Sequence, residues 1–186
     1  MSTEGQDISA NLSRLLGEKE VFKKQFLKVQ ENYENKISEL SILKELGNTL
    51  RFTNFYDKEV FFWKQLKIIE KYASLKNIRL MLLDEKSDLL EIIAESRSSA
   101  PIYTPRRLLA ENPAMQAVFE AEPVLRGAAE AGQDGSSLFV PLIHNHRAIG
   151  VLELSQCHNK GFSQNQIRFF SLVADHGVAG FAGELS

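Results

Sequence analysis

The tightest constraint in this sequence is its closing stretch, residues 136–186. Residues 136–143 (SSLFVPLI) and 148–155 (AIGVLELS) are strand-like runs separated only by His144–Arg147 (HNHR). Two strands with so short a link close as an antiparallel hairpin. Gly161-Phe162-Ser163 then opens a helix with two start signals together. Ser163 and Gln166 have capping-box spacing, and Phe162 and Ile167 that of a hydrophobic staple. The helix carries Ile167, Phe170, Ala174, Val178 and Phe181 on one stripe. Gly177, Ala179, Gly180 and Gly183 line its other positions. The glycines cost helix propensity, which points to a close approach by another helix.

The preceding segments extend this unit into an α+β domain. Asn54 or Asp57 offers an N-cap for a helix over residues 57–75. Its apolar face is broad (Val60, Phe61, Phe62, Trp63, Leu66, Ile69, Ala73), as expected of a helix lying on a sheet. Residues 77–83 (NIRLMLL) and 89–94 (LLEIIA) read as two strands joined by the polar turn 84–88. Residues 95–135 are irregular and hold four of the five prolines. Within them, Asn112-Pro113 starts a short helix to about Ala121. Val124-Leu125 is a short strand, and residues 127–135 (GAAEAGQDG) are a flexible loop.

The first third reads as one long helix, residues 12–50, behind a disordered 1–11. Phe22, Phe26, Val29 and Tyr33 recur with coiled-coil spacing. The seam continues through Ile37, Leu40, Leu43 and Leu46 or Gly47, with a local stutter because Phe26 and Ile37 stand eleven apart. Such a helix needs a partner. The simplest is a second copy, giving a parallel homodimer through Phe22, Phe26, Val29, Tyr33, Ile37 and Leu40, with the C-terminal helix as a further contact. The rival reading packs the helix back on its own domain.

Bulk properties exclude several classes. The net charge of −2 carries no basic excess for nucleic acid. Apolar runs are too short for a membrane span, and residues 1–10 have no apolar signal core. A single cysteine, Cys157, forbids an internal disulfide and a thiolate-rich zinc site, which suits a cytoplasmic setting. No phosphate loop, H-E-x-x-H or G-x-S-x-G is present.

The run Ser137-Leu138-Phe139-Val140-Pro141-Leu142, a turn, Ile149-Gly150-Val151-Leu152-Glu153-Leu154, then Gly161-Phe162-Ser163 resembles the closing half of a GAF domain. Residues 117–124 are similar to the helix-then-strand segment of such domains, and residues 57–94 to their opening. The resemblance covers about residues 40–186. It implies a PAS-related fold: a central antiparallel sheet, the first and last helices on one face, and a pocket under the irregular middle on the other. The domain would span 51–186, behind a signalling helix. GAF domains are mostly regulatory sensors of bacterial signalling proteins, so the resemblance implies a non-catalytic sensory and dimerisation module in a cytoplasmic pathway. It would bind an unidentified small molecule and signal through helices to an output domain linked beyond residue 186. The alternatives are a dimerisation scaffold with no ligand and a small redox enzyme of the methionine sulfoxide reductase type. That enzyme needs cysteines that resolve into disulfides, and Cys157 alone does not supply them.

No cofactor is expected. Bilin-binding and haem-binding relatives attach through a Cys or His of the middle connection, and residues 84–136 contain neither. Cyclic nucleotide-binding relatives carry Asn-Lys, Phe and then Asp-Glu. Asn159-Lys160 and Phe162 match, but Gln166-Ile167 replace the acidic pair. His144 and His146 in the hairpin turn lack a third metal ligand, and His158 and His176 have no partner pattern. Arg79 and Glu153 each interrupt an apolar strand. If the first and last strands pair, the two face each other. The preferred reading is a structural ion pair; the functional one is an Arg79 that reaches an anionic ligand. Arg106 and Arg107, with Tyr103, Met115 and Phe119, are pocket-lining candidates or an exposed basic loop. Met81 and Phe139 complete the candidate ligand-contacting set.

Overall fold

A computed structural model describes residues 3–52, 57–73, 75–84, 86–103, 106–107, 113–127, 135–156 and 161–181. The chain divides into two compact units, Met1–Leu40 and Ser41–Ser186. The long helix α1 is Thr3–Phe52. It begins earlier than the seam predicts and takes in residues 3–11, part of the stretch expected to be disordered; no proline interrupts those residues. Within the first unit Leu12, Leu15, Phe22, Phe26, Val29, Tyr33, Ile37 and Leu40 are all exposed, Phe22 at 70% and Phe26 at 68%.

In the second unit, Ile42 and Leu46 near the end of α1 are buried in the domain core. Leu43, which the seam reading includes, packs against the same core, and Leu46 is one of the two residues offered for the seam's continuation, so the last turns of α1 are shared with the domain core. Glu45 ties this segment to α2 (Lys58–Tyr72). It accepts from Lys71 Nζ at 2.8 Å and from the Tyr72 hydroxyl. These hydrogen bonds hold the Glu45 carboxyl below its ordinary range and raise the Lys71 ammonium.

Helix α2 is capped by Asp57, whose side chain accepts from Val60 N at 3.0 Å. Of the two cap candidates, Asn54 lies outside the described residues. The helix ends at Tyr72, short of Leu75, because Ala73 is extended. It lays Phe61, Phe62, Leu66 and Ile69 on the sheet, at about 1.5–3 kcal/mol for each fully buried side chain.

Six strands form one antiparallel sheet: β1 (Asn77–Asp84), β2 (Leu89–Glu95), β3 (Arg106–Arg107), β4 (Val124–Arg126), β5 (Ser137–His144) and β6 (Arg147–Ser155). Their order is β3-β2-β1-β6-β5-β4. The first and last long strands therefore pair at the centre, as expected. Strand β3 is new: the sequence places Arg106 and Arg107 in irregular chain, but they pair with Ile92 and Glu91. A two-residue pairing carries no alternation to read. The β5–β6 turn is only Asn145-His146, since His144 pairs with Arg147. Both turn residues have positive φ, 47° and 63°, the type I′ geometry that matches strand twist. His146 is a poor choice there. His146→Gly should raise unfolding stability by about 1 kcal/mol in urea titration; a loss would argue against the I′ turn.

Helix α3 (Pro113–Glu120) covers one sheet face and α4 (Gln164–Phe181) the other. The capping box forms in both directions. Gln166 N donates to Ser163 Oγ at 3.3 Å, and Ser163 N donates to Gln166 Oε1 at 2.9 Å. Phe162 is buried with Ile167 packed against the same core, as the staple predicts. The small residue Gly177 also has its reason. A Cβ there would come 3.0 Å from Gln65 Oε1 of α2.

Candidate functional site

The alternation of strands sorts two cores. Ile78, Leu80, Leu138, Val140, Leu152 and Leu154 join the helices α1, α2 and α4. Met81, Phe139 and Val151 point the other way, beneath Ala114, Met115, Ala117 and Val118 of α3. Arg79 and Glu153 lie between residues of the first set, so they face α3's side. Register makes them direct neighbours, and Arg79 Nη2 donates to Glu153 Oε1 at 2.6 Å.

Three rows cross this face. Ile92, Met81, Val151 and Pro141 form an apolar row. Glu95, Arg79, Glu153 and Phe139 form the next. Asn77, Ser155, Ser137 and Arg126 form a polar row beyond it. In the polar row the Ser137 and Ser155 hydroxyls meet at 3.2 Å, and Arg126 Nη2 donates to Gln116 Oε1 of α3 at 2.9 Å. Asn77 Nδ2 donates to Glu95 Oε1 at 2.8 Å. The ion pair thus sits at the border between apolar and hydrogen-bonded surface. Glu153 is 5% exposed, while the Arg79 side chain keeps 30% of its surface open. Its Nε is buried without a hydrogen-bond partner among the described residues. A carboxylate this buried is stabilised by the cation beside it, and the pair bridges the two central strands.

Of the candidate residues, the structure brings Arg79, Met81, Met115, Phe139 and Glu153 to this one face. Phe119 is 78% exposed and takes no part in the cluster. Tyr103 is exposed too, with its hydroxyl 3.4 Å from Asp57 Oδ2 at the start of α2. Partial desolvation there and the Asp57 carboxylate push its phenol above the ordinary value. Arg106 and Arg107 are placed by backbone pairing alone. Asn77, Gln116, Arg126, Ser137 and Ser155 were missed. Asn77 and Ser155 stand two residues from Arg79 and Glu153, so strand alternation was the available signal.

Residues 104–105, 108–112 and 128–134, in the connection expected to wall a pocket, lie outside the described residues. So do Cys157, His158 and the Asn159-Lys160 pair. Among the described residues no group of three or more His, Cys, Asp and Glu could hold a metal ion. No described helix is long and apolar enough to cross a membrane. A separate open groove of about 420 Å³ lies between the end of α1 and α2. Trp63 and Lys67, which line it, are held by the Ser98 and Ser96 carbonyls.

A GAF domain family model matches residues 57–179, the span that holds α2, α3, the six strands and most of α4. The chain belongs to the GAF domain family. Members of this family are typically regulatory sensory modules. No curated protein matches the chain in sequence. Among solved structures, it is similar to the GAF domain of a phosphoenolpyruvate-protein phosphotransferase from Coxiella burnetii, with TM-score 0.64 and 16% identity over 80% of this chain and 95% of that one. It is similar to the free methionine-R-sulfoxide reductase of Neisseria meningitidis, solved with its substrate, with TM-score 0.65 and 17% identity over 79% and 90%. It is also similar to a phycoerythrobilin-bound GAF domain from a cyanobacterial phytochrome, with TM-score 0.65 and 11% identity over 81% and 97%. At these identities the likeness is one of fold. A sensor and an enzyme share the GAF scaffold, so function must be argued from this chain's own residues.

Proposed function

We propose that this chain is a non-catalytic regulatory module of a cytoplasmic signal-transduction protein. Its domain binds a small molecule on the α3 face, and α1 pairs with a second copy and carries the state to an output domain. The observation that carries this reading is on α1. One continuous helix presents exposed Phe22, Phe26, Val29 and Tyr33 at coiled-coil spacing and then contributes Ile42 and Leu46 to the domain core. A helix anchored in a core and paired outside it transmits a change of packing, because a ligand that favours one arrangement shifts the helix pair.

A second reading is favoured by the likeness to the Neisseria meningitidis sulfoxide reductase. It is the weaker one, since a single cysteine has no intramolecular partner to resolve with. Native mass spectrometry at micromolar concentration tests the proposal, reporting dimer mass and any retained small molecule together. Phe26→Asp places a carboxylate in the seam and should convert dimer to monomer with the domain's circular dichroism unchanged. A monomeric wild type defeats the pairing, and methionine sulfoxide turnover that disappears in Cys157→Ser would transfer the case to the enzyme reading.

A further inference from the structure

The groove between the end of α1 and α2 lies within the unit Ser41–Ser186, on the opposite side of the sheet from α3. Its volume of about 420 Å³ is that of a small-molecule site. Glu45 and Asn48 stand on the α1 wall, and Trp63, Lys64, Lys67 and Ile68 on the α2 wall. Trp63 and Ile68 are half-buried: they pack against the domain core and also line the groove. The Trp63 indole N–H donates to the Ser98 carbonyl at 3.1 Å, which fixes the plane of the ring. The charges on the two walls do not cancel. Lys67 is matched by Glu70 at 2.9 Å and also donates to the Ser96 carbonyl. Glu45 is matched by Lys71 at 2.8 Å. Lys64 is exposed and has no ion pair or hydrogen bond among the described residues. One positive charge is left over beside a fixed aromatic ring.

We propose that this groove is a second ligand site, and that it takes a planar aromatic monoanion of the aryl carboxylate class. The ligand's ring stacks on Trp63 and covers Ile68, and its carboxylate pairs with Lys64. Asn48, on the facing helix, offers an amide donor to the second carboxylate oxygen. A cation does not suit the groove. It would meet the unmatched Lys64, and the Trp63 ring already has the Lys67 ammonium 5.9 Å from its centroid. A dianion would bring one charge more than the walls match. The site is independent of the α3 face and does not rest on the reading above. Its two walls are the helix that leaves the domain and the helix that lies on the sheet. A ligand touching both favours the α1–α2 arrangement that Glu45, Lys71 and Tyr72 hold.

The test uses the full chain with 2-naphthoate as the probe. Trp63 is the only tryptophan, so its indole N–H gives a single cross-peak in proton–nitrogen correlation NMR. That peak should move saturably as 2-naphthoate is added. The amide 2-naphthamide keeps the ring and lacks the charge. It should bind roughly fivefold more weakly, the upper end for an exposed ion pair. Lys64→Gln should weaken 2-naphthoate by the same factor and leave 2-naphthamide unchanged. Asn48→Phe puts a ring into the groove from an exposed helix position. The domain's circular dichroism should stay unchanged, and the movement caused by 2-naphthoate should vanish. Absence of saturable movement in the wild type overturns the site, as does movement that survives Asn48→Phe. Equal affinity for acid and amide, or an affinity for the acid that Lys64→Gln leaves untouched, overturns the anionic ligand.

Discussion

Gly150→Ala should be among the most damaging single changes in this domain. Gly150 pairs with Leu82 of β1 on one side and Leu142 of β5 on the other. A Cβ built on it would fall 2.2 Å from the Met81 carbonyl oxygen and 3.1 Å from Leu82 Cα. Both obstacles are backbone, so no rotamer change relieves them. The central β1–β6 ladder must open or shift, and the two cores on either side of it share that ladder. The expected loss is about 3 kcal/mol or more, at the upper end of overpacking costs, out of a typical 5–15 kcal/mol for a domain. Urea unfolding followed by circular dichroism measures it. Gly127→Ala is the matched control. Nothing lies within 4 Å of its Cβ position, so it should be neutral or slightly stabilising. If Gly150→Ala unfolds at the wild-type midpoint, the close approach of β1 and β6 is wrong.

That glycine also shows where the sequence was readable. The motif Ile149-Gly150-Val151-Leu152 marks a strand by its composition, and the strand is where it was expected. Why glycine stands there depends on the neighbouring backbone, which no local pattern reveals. Long elements with strong periodicity were legible for the same reason: α2, β1, β2, β5, β6 and α4 each repeat a face often enough to be seen. Strand β3 is a two-residue pairing of Arg106 and Arg107 on the outer edge of β2, too short to show a period in the sequence.

The candidate site was legible in its centre and not at its rim. Arg79 and Glu153 stood out as charges inside apolar strands, and pairing of first and last strands put them opposite each other. Met81, Met115 and Phe139 followed from strand or helix periodicity onto the same face. Tyr103 and Phe119 come from the irregular connection and the end of a short helix, where no period fixes direction; both are exposed. Gln116 and Arg126 escaped notice because their link joins a helix to an edge strand across sequence that has no regular spacing.

Arg79→Met is the complementary test, because it addresses what holds the centre of that face. It removes the cation from a carboxylate that is 5% exposed. Stranding a fully buried charge costs about 3–5 kcal/mol. The Arg79 side chain is 30% open to solvent, so water reaches part of the gap. The loss should therefore be nearer to about 2–3 kcal/mol after screening. The pair of changes Arg79→Met and Glu153→Leu removes both charges and should restore much of the stability, since a matched apolar replacement no longer strands a charge. The coupling between the two sites should be about 1–3 kcal/mol in a double-mutant cycle. Urea is the suitable denaturant, because guanidinium salt would screen the pair under study. Additive single changes, with no recovery in the double variant, would mean that Arg79 and Glu153 are not bound to each other in solution. A stable double variant that still dimerises would separate the two roles of this face: the sheet would no longer depend on the charges, and any loss of a retained small molecule would then report on Arg79 and Glu153 as binding groups.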